Sequence, residues 1–392
     1  MTVLGILGGS GVYDIAGLKN AEWRRVASPF GETSDEFLFG VLDGLDVVFV
    51  PRHGRGHRHS PTSINYRANI DALKRSGVTD ILSLSACGSL REDLPPGHFV
   101  VVDQFIDRTF AREKSFFGEG LVAHVSMAQP TCNRLAEAVH DCAQKAGFPV
   151  KFGGTYIAME GPQFSSLAES KLYRSWGCDV IGMTNMPEAK LAREAEICYV
   201  TVAMVTDFDC WHPDHDHVQV ADIVRVLTEN AEKAKVLVAM MAPRLKAARP
   251  APCPAGCDHA LQYALITAPA ARSPEMMAKL DAVAVRKKSD HWCQPVRDQR
   301  RIARGDGQEG AEVEVALGAG QVAQAAHVDE GNVVAPALGR LRHRTALHLD
   351  RVCAQLLVQA APQTLRIDEP VASGDRAEMD GGRAPAGADR LG

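Results

Sequence analysis

Residues Ile197 to Trp211 read ICYVTVAMVTDFDCW, a nearly unbroken apolar run that closes on two carboxylates, Asp207 and Asp209. A short run rich in Val, Ile, Tyr and Thr without polar alternation predicts a strand buried on both faces, as in the middle of an α/β sheet. Open α/β sheets bind ligands beyond the carboxyl ends of their strands. Acids at such an end are placed for chemistry, and the rest of the chain can be read for what they need around them.

The chain has 392 residues, 46% hydrophobic and 23% charged, enough for a full core and, on length alone, for two domains. A net charge of −5 argues against nucleic acid or an anionic membrane as partner. The ten cysteines sit singly in apolar segments, as buried thiols of a reduced intracellular protein do. The N-terminal MTVLGILGGSG is short, lacks a basic flank and runs into glycines, so neither a signal peptide nor a membrane span is expected and a cytoplasmic location is.

Outward from the central strand, other strand ends carry polar groups. Val3 to Leu7 predicts a first strand, and Gly8-Gly9-Ser10-Gly11 a turn that can bring amides and a hydroxyl to an anion. The third glycine of a dinucleotide fingerprint is missing, which excludes a Rossmann oxidoreductase. Phe37 to Leu42 and Leu45 to Val50 flank the hairpin turn Asp43-Gly44, and the second ends in Arg52-His53. These two suit a fixed anion, whereas Arg55, His57, Arg58 and His59 read as solvent-facing or gating. Ser63 to Gly77 predicts a helix. Asp80 to Ser89 predicts a strand running into small residues, Phe99 to Ile106 a further strand, and Asn133 to Ala146 a surface helix. Thr155 to Met159 closes on Phe164-Ser165, and Ser166 to Glu169 forms a capping box opening the helix Leu167 to Trp176. Asp179 to Met183 precedes Thr184, and Val220 to Met241 predicts a long helix.

The motifs GILGGSG, PRHG, NYRANI, SACGSLRE, DQFIDRT, EGPQFSS, MTNMPEAKLA and TDFDCW, in this order and spacing, resemble the 5′-methylthioadenosine phosphorylase branch of the trimeric purine nucleoside phosphorylases, from Val3 to about Leu245. The resemblance implies an α/β nucleoside phosphorylase fold, a single domain with a central mixed β-sheet flanked by helices, assembled as a homotrimer with its sites at subunit interfaces. It implies a pentosyltransferase of purine and methionine salvage that splits 5′-methylthioadenosine with inorganic phosphate into adenine and 5-methylthioribose 1-phosphate, with phosphate as co-substrate and no metal or organic cofactor. Laid on this chain, it assigns phosphate binding to Ser10, Arg52, His53, Ser85, the Ala86 backbone and Thr184. Met183 is to lie along the ribose, with Phe164, Cys87 and Gly88 around base and sugar. Asp207 and Asp209 face the purine as catalytic acids with Ser165 beside them, Val220 and Ile223 bound the 5′ pocket, and His124 reaches into a neighbouring subunit's site.

These residue types suit the reaction. Adenine leaves well only if N7 takes a proton, and a positioned carboxyl group contributes about 10²–10⁴-fold. A fixed phosphate serves as nucleophile and as counter-charge to the ribose cation. Two aspartates favour a 6-amino over a 6-oxopurine, and an apolar Val220/Ile223 wall favours a methylthio tail over a hydroxyl. The alternatives are a phosphorylase of 6-oxopurine nucleosides, purine or methylthioinosine, and a nucleoside-binding protein without turnover.

Other stretches stand apart. Trp211 to His217, WHPDHDH, fits no standard zinc spacing and reads as a lid over the substrate. Cys253 and Cys257 have no second pair at zinc spacing and read as two free thiols. Pro250 to Gly256 reads as a linker, and Ser273 to Val285 as a short capped helix. The phosphorylase domain is expected over residues 1–285. Residues 286–392 are a low-complexity, Ala/Gly/Arg-rich extension without sustained period, which predicts that they are disordered or non-native.

Overall fold

The computed structural model describes residues 2–9, 11–212, 220–247 and 249–284, with two short strands further on; the side chains of residues 220–223 fall outside it. Residues 1–300 and 301–392 form two compact units. The second is described only as an antiparallel pair, Glu312–Val313 with Ala326–His327. The expectation of disorder over residues 286–392 lies outside the described residues.

The first unit is built on an eleven-stranded mixed sheet. Strands β1 (Val3–Gly8), β2 (Leu18–Arg24), β3 (Phe37–Leu42) and β4 (Leu45–Pro51) make one wing. The hairpin between β3 and β4 turns at Asp43 and Gly44 with φ of +48° and +79°, the left-handed pair a two-residue turn needs. The centre is β5 (Asp80–Ser89), flanked by parallel β1 and by β11 (Cys198–Asp207). Ten consecutive residues of β11 are buried or nearly so, which is why it reads as an apolar run.

One expected strand is two. Phe99 to Ile106 breaks at Asp103 into β6 (Phe99–Val102), paired with β11 and β8 (Val150–Phe152), and β7 (Gln104–Asp107), paired with β9 (Thr155–Ala158). Asp103 makes the switch by accepting the Gly154 amide at 2.8 Å. The remaining strand of the sheet, β10 (Val180–Gly182), pairs with β5 and β9.

Helices cover both faces. α1 (Tyr66–Arg75) and α4 (Glu188–Glu194) pack Ile70, Leu73, Ala189 and Leu191 on one side. α2 (Asn133–Lys145) and α5 (Val220–Lys246) pack Leu135, Val139, Leu237 and Met241 on the other. α3 (Leu167–Ser175) begins with the expected capping box, Ser166 and Glu169 bonding reciprocally. α6 (Pro274–Lys279) is capped by Ser273 and ends short of the predicted Val285.

This topology opens the site. β1 pairs with β5 only as far as Ser83, and β10 takes the same edge antiparallel from Gly88. Between them the edge of Leu84 to Cys87 faces a crevice at the carboxyl ends of β1, β4 and β11, where open α/β sheets place ligands.

Candidate active site

The crevice holds a cavity of about 380 Å³, within the range of small-molecule sites. Of the residues singled out from sequence, Arg52, His53, Ser85, Ala86, Cys87, Gly88, Phe164, Met183, Thr184, Asp207 and Asp209 line it. Ser165 stands just behind the wall, its hydroxyl 3.7 Å from the Met159 sulfur. His124 is exposed away from the cavity, its amide bonded to the Ala264 carbonyl. Ser10, the side chains of Val220 and Ile223, and residues 213–217 of the expected lid Trp211 to His217 lie outside the described residues; Trp211 itself is buried and donates to the Ser89 carbonyl at 2.8 Å. Leu227 and Ala231, four and eight residues on from Ile223, do line the cavity and continue one helical face.

At one end is a polar cradle. The Ser85 and Thr184 hydroxyls are 2.7 Å apart. Arg52 is buried beneath them; it pairs with Glu188 and donates to the Leu84 carbonyl at 3.0 Å and the Ser83 hydroxyl at 2.6 Å. Burial disfavours the Arg52 charge, but the charge and hydrogen bonds of Glu188 outweigh it and hold its pKa above the ordinary value. Ser83 and Tyr199 donate to Glu188 at 3.1 and 3.2 Å, so the pair is satisfied on several sides, as a buried ion pair must be. His53 directs Nδ1 at the His59 carbonyl, 2.9 Å away. A carbonyl only accepts, so Nδ1 carries the proton and Nε2 is left free. Burial pushes the His53 pKa down to about 4. His57, read from sequence as solvent-facing or gating, stacks on His53 at 4.2 Å and joins the cavity wall.

At the other end are the acids. A bulge between Val205 and Asp207 ends the β11–β5 ladder, and such bulges re-aim side chains. The Thr206 hydroxyl in the bulge donates to the Cys87 carbonyl at 3.1 Å or to Asp207 Oδ2 at 2.7 Å. Burial, opposed by Thr206 and assisted by the charge of Asp209, pushes the Asp207 pKa up to about 6. Burial also raises Asp209, which the Ser170 hydroxyl and Cys210 amide partly offset. Gly88 makes room for both: a Cβ there would meet Asp207 Oδ1 at 3.1 Å and Asp209 Cβ at 3.4 Å.

Two structural supports escape a reading by motif. Glu188, the Arg52 partner, lies in the quoted block MTNMPEAKLA, where a charge at the start of an apolar helix was the available signal. Arg112 has none. It is buried and ties the carbonyls of Met183, Met186 and Glu160 together at 2.7–2.8 Å, and it pairs with the Glu160 carboxylate at 3.0 Å. It thereby fastens the segment that presents Met183 and Thr184 to the loop that carries Phe164.

A polar cradle faces buried acids across a small-molecule cavity at the carboxyl ends of an α/β sheet, an arrangement suited to group transfer. The sequence profile of the phosphorylase superfamily matches residues 3–242, and the chain belongs to that superfamily. It is 66% identical over 284 residues to the S-methyl-5′-thioadenosine phosphorylase of Rhodospirillum rubrum, covering 72% of this chain and 96% of the relative. A methylthioadenosine phosphorylase from an antarctic soil metagenomic library superposes with a TM-score of 0.68 at 44% identity, over 72% of this chain and 98% of that one. The Schistosoma mansoni methylthioadenosine phosphorylase in complex with adenine gives 0.59 at 35% identity, over 63% and 93%. Within the superfamily the chain thus falls in the S-methyl-5′-thioadenosine phosphorylase branch.

Proposed function

We infer that the protein catalyses phosphorolysis of S-methyl-5′-thioadenosine to adenine and 5-methylthioribose 1-phosphate. The observation that carries the reading is Asp207, buried with a pKa pushed up to about 6 in the same cavity as the Arg52, His53, Ser85 and Thr184 cradle. A binding protein needs no acid tuned towards neutrality; a glycosidic cleavage that must protonate its leaving group does.

The roles follow from position. Ser85, Thr184, His53, the free edge of β5 at Ala86 and Arg52 bind phosphate, and Ser10 is assigned to the same role. Glu188 neutralises Arg52, so the cradle holds the anion through aligned donors more than through net charge. A phosphate oxygen attacks C1′, the C1′–N9 bond breaks, its electron pair passes into the purine, and Asp207 delivers a proton to N7. Met183 lies along the ribose, and Cys87, Gly88 and Phe164 flank base and sugar. Asp209, with Ser165 behind it, keeps charge and proton near the purine edge. Val220, Ile223 and Leu227 wall the 5′ substituent, a preference for methylthio over hydroxyl worth about 1–3 kcal/mol. Phosphate is the co-substrate, and the steps use no group beyond these side chains.

Phe164 is 80% exposed at the cavity rim, and Phe110, Leu167, Leu172 and Trp176 are exposed as well. Apolar surface of this kind marks an interface, and it supports a homotrimer in which a neighbour covers Phe164 and supplies His124. Among the described residues no helix is long and apolar enough to cross a membrane, and the eight described cysteines are unpaired thiols, which suits a cytoplasmic enzyme. The catalytic unit is assigned to residues 1–285, supported by the superfamily profile over residues 3–242 and by a relative that aligns over 284 residues. Phosphorus NMR of a reaction with methylthioadenosine and phosphate tests the reading: a sugar 1-phosphate signal must grow as adenine is released, and adenine release without it would replace phosphorolysis by hydrolysis.

A further inference from the structure

Four cysteines far apart in sequence meet behind the sheet. Cys132 caps the N-terminus of α2, Cys198 opens β11, and Cys253 and Cys257 flank a tight turn closed by a Gly256 amide to Cys253 carbonyl bond of 2.8 Å. All four are buried, and their sulfurs lie within 4.8 Å of one another. The Cys253 sulfur is 3.5 Å from that of Cys198 and 3.8 Å from that of Cys132. Neither spacing is a covalent bond, and one sulfur cannot be bonded to both neighbours. Tetrahedral zinc with four bonds of about 2.3 Å spaces its sulfurs about 3.8 Å apart.

The surroundings favour thiolates. Arg249 directs Nη2 at the Cys198 sulfur, 2.9 Å away, and Arg193 directs Nη1 at the Cys257 sulfur, 3.6 Å away. A zinc tetrathiolate carries two negative charges; Arg193 and Arg249 face it, and Arg134 pairs with Asp80, the carboxylate that Arg249 also approaches at 3.5 Å. The turn is held ready by Asp258, whose carboxylate accepts the Cys253 amide at 3.0 Å. Donors to the sulfurs and fixed ligand loops are the outer shell a structural metal requires.

We propose that Cys132, Cys198, Cys253 and Cys257 form a structural zinc site that fastens the segment after α5 to the start of β11. Binding displaces the four thiol protons, so Zn²⁺ plus four thiols gives a tetrathiolate and four released protons. The site lies outside the catalytic cavity, and its effect is on stability. Without the metal, the segment carrying Cys253 and Cys257 is held to the sheet by packing and by a few polar contacts, among them those of Arg193 and Arg249 and the Leu261 amide donated to Glu196 at 2.9 Å.

The test uses the full chain purified without chelator, with metal measured by mass spectrometry. About one zinc per protomer is expected, with near-complete loss in the double variant C253S/C257S and a lower melting temperature for that variant. Because that variant could simply unfold, wild-type protein refolded with Co²⁺ provides a second reading: the intense visible bands of tetrahedral cobalt tetrathiolate must appear. Wild-type protein free of metal with four titratable thiols, a disulfide among these cysteines, or stoichiometric iron in place of zinc would each overturn the assignment.

Discussion

Consider Asp207→Asn, which keeps the shape of the side chain and removes its titration. The folded protein holds the Asp207 proton more tightly than the unfolded chain does, since burial raises its pKa from 3.8 to about 6. Protonation therefore stabilises the fold as pH falls through this interval, and above about 6 the full cost of a buried carboxylate is present. That interval corresponds to ~3 kcal/mol. Asparagine removes the cost, and its carbonyl can still accept from Thr206 while its amide faces the cavity. The variant should thus resist urea better by up to ~3 kcal/mol near pH 7.5 and lose this advantage below about pH 4. Catalysis should move the other way. With no proton for N7, and an amide donor facing the donor 6-amino group, kcat/KM for methylthioadenosine should fall by about 10²–10⁴-fold. The relative preference should shift towards methylthioinosine, whose 6-oxygen accepts. Paired denaturation curves and steady-state assays measure both. A variant with unchanged stability and unchanged 6-amino preference would refute the assignment of Asp207 as the buried acid.

Other perturbations separate the cradle from its supports. Glu188→Ala leaves Arg52 as an unpaired buried charge and should cost about 3–5 kcal/mol of stability while raising KM for phosphate. His53→Ala removes one hydrogen bond to phosphate and should raise its KM roughly tenfold with thermal stability nearly unchanged. Gly88→Ala puts a methyl 3.1 Å from Asp207 Oδ1 and should cost about 1–3 kcal/mol and lower kcat/KM in a folded protein.

What could be read along the chain was what the chain determines locally. The apolar run of β11 ending at Asp207, the Asp43-Gly44 turn and the Ser166/Glu169 cap each carry their signal within a few residues, and the structure forms them where they were expected. The break at Asp103 could not be read, because FVVVDQFI is continuously strand-like and the switch depends on Gly154, distant in sequence. Arg52 was legible as a polar group at a strand end, yet its partner Glu188 lies 136 residues away. The cysteine quartet fails the usual spacing test for the same reason: Cys132 and Cys253 are 121 residues apart and meet only because α2, β11 and the segment after α5 converge. His57 is exposed, as its solvent-facing or gating reading expected, and what the sequence could not show is that its ring also stacks on His53.

The most direct measurement is release of the free purine base, adenine from methylthioadenosine and adenosine and hypoxanthine from methylthioinosine and inosine, with and without inorganic phosphate. The structure predicts strict phosphate dependence and the highest kcat/KM for methylthioadenosine, ahead of adenosine by about 10–200-fold and with both 6-oxopurine nucleosides below their 6-amino counterparts. Base release that ignores phosphate, or a 6-oxopurine as the best substrate, would contradict it.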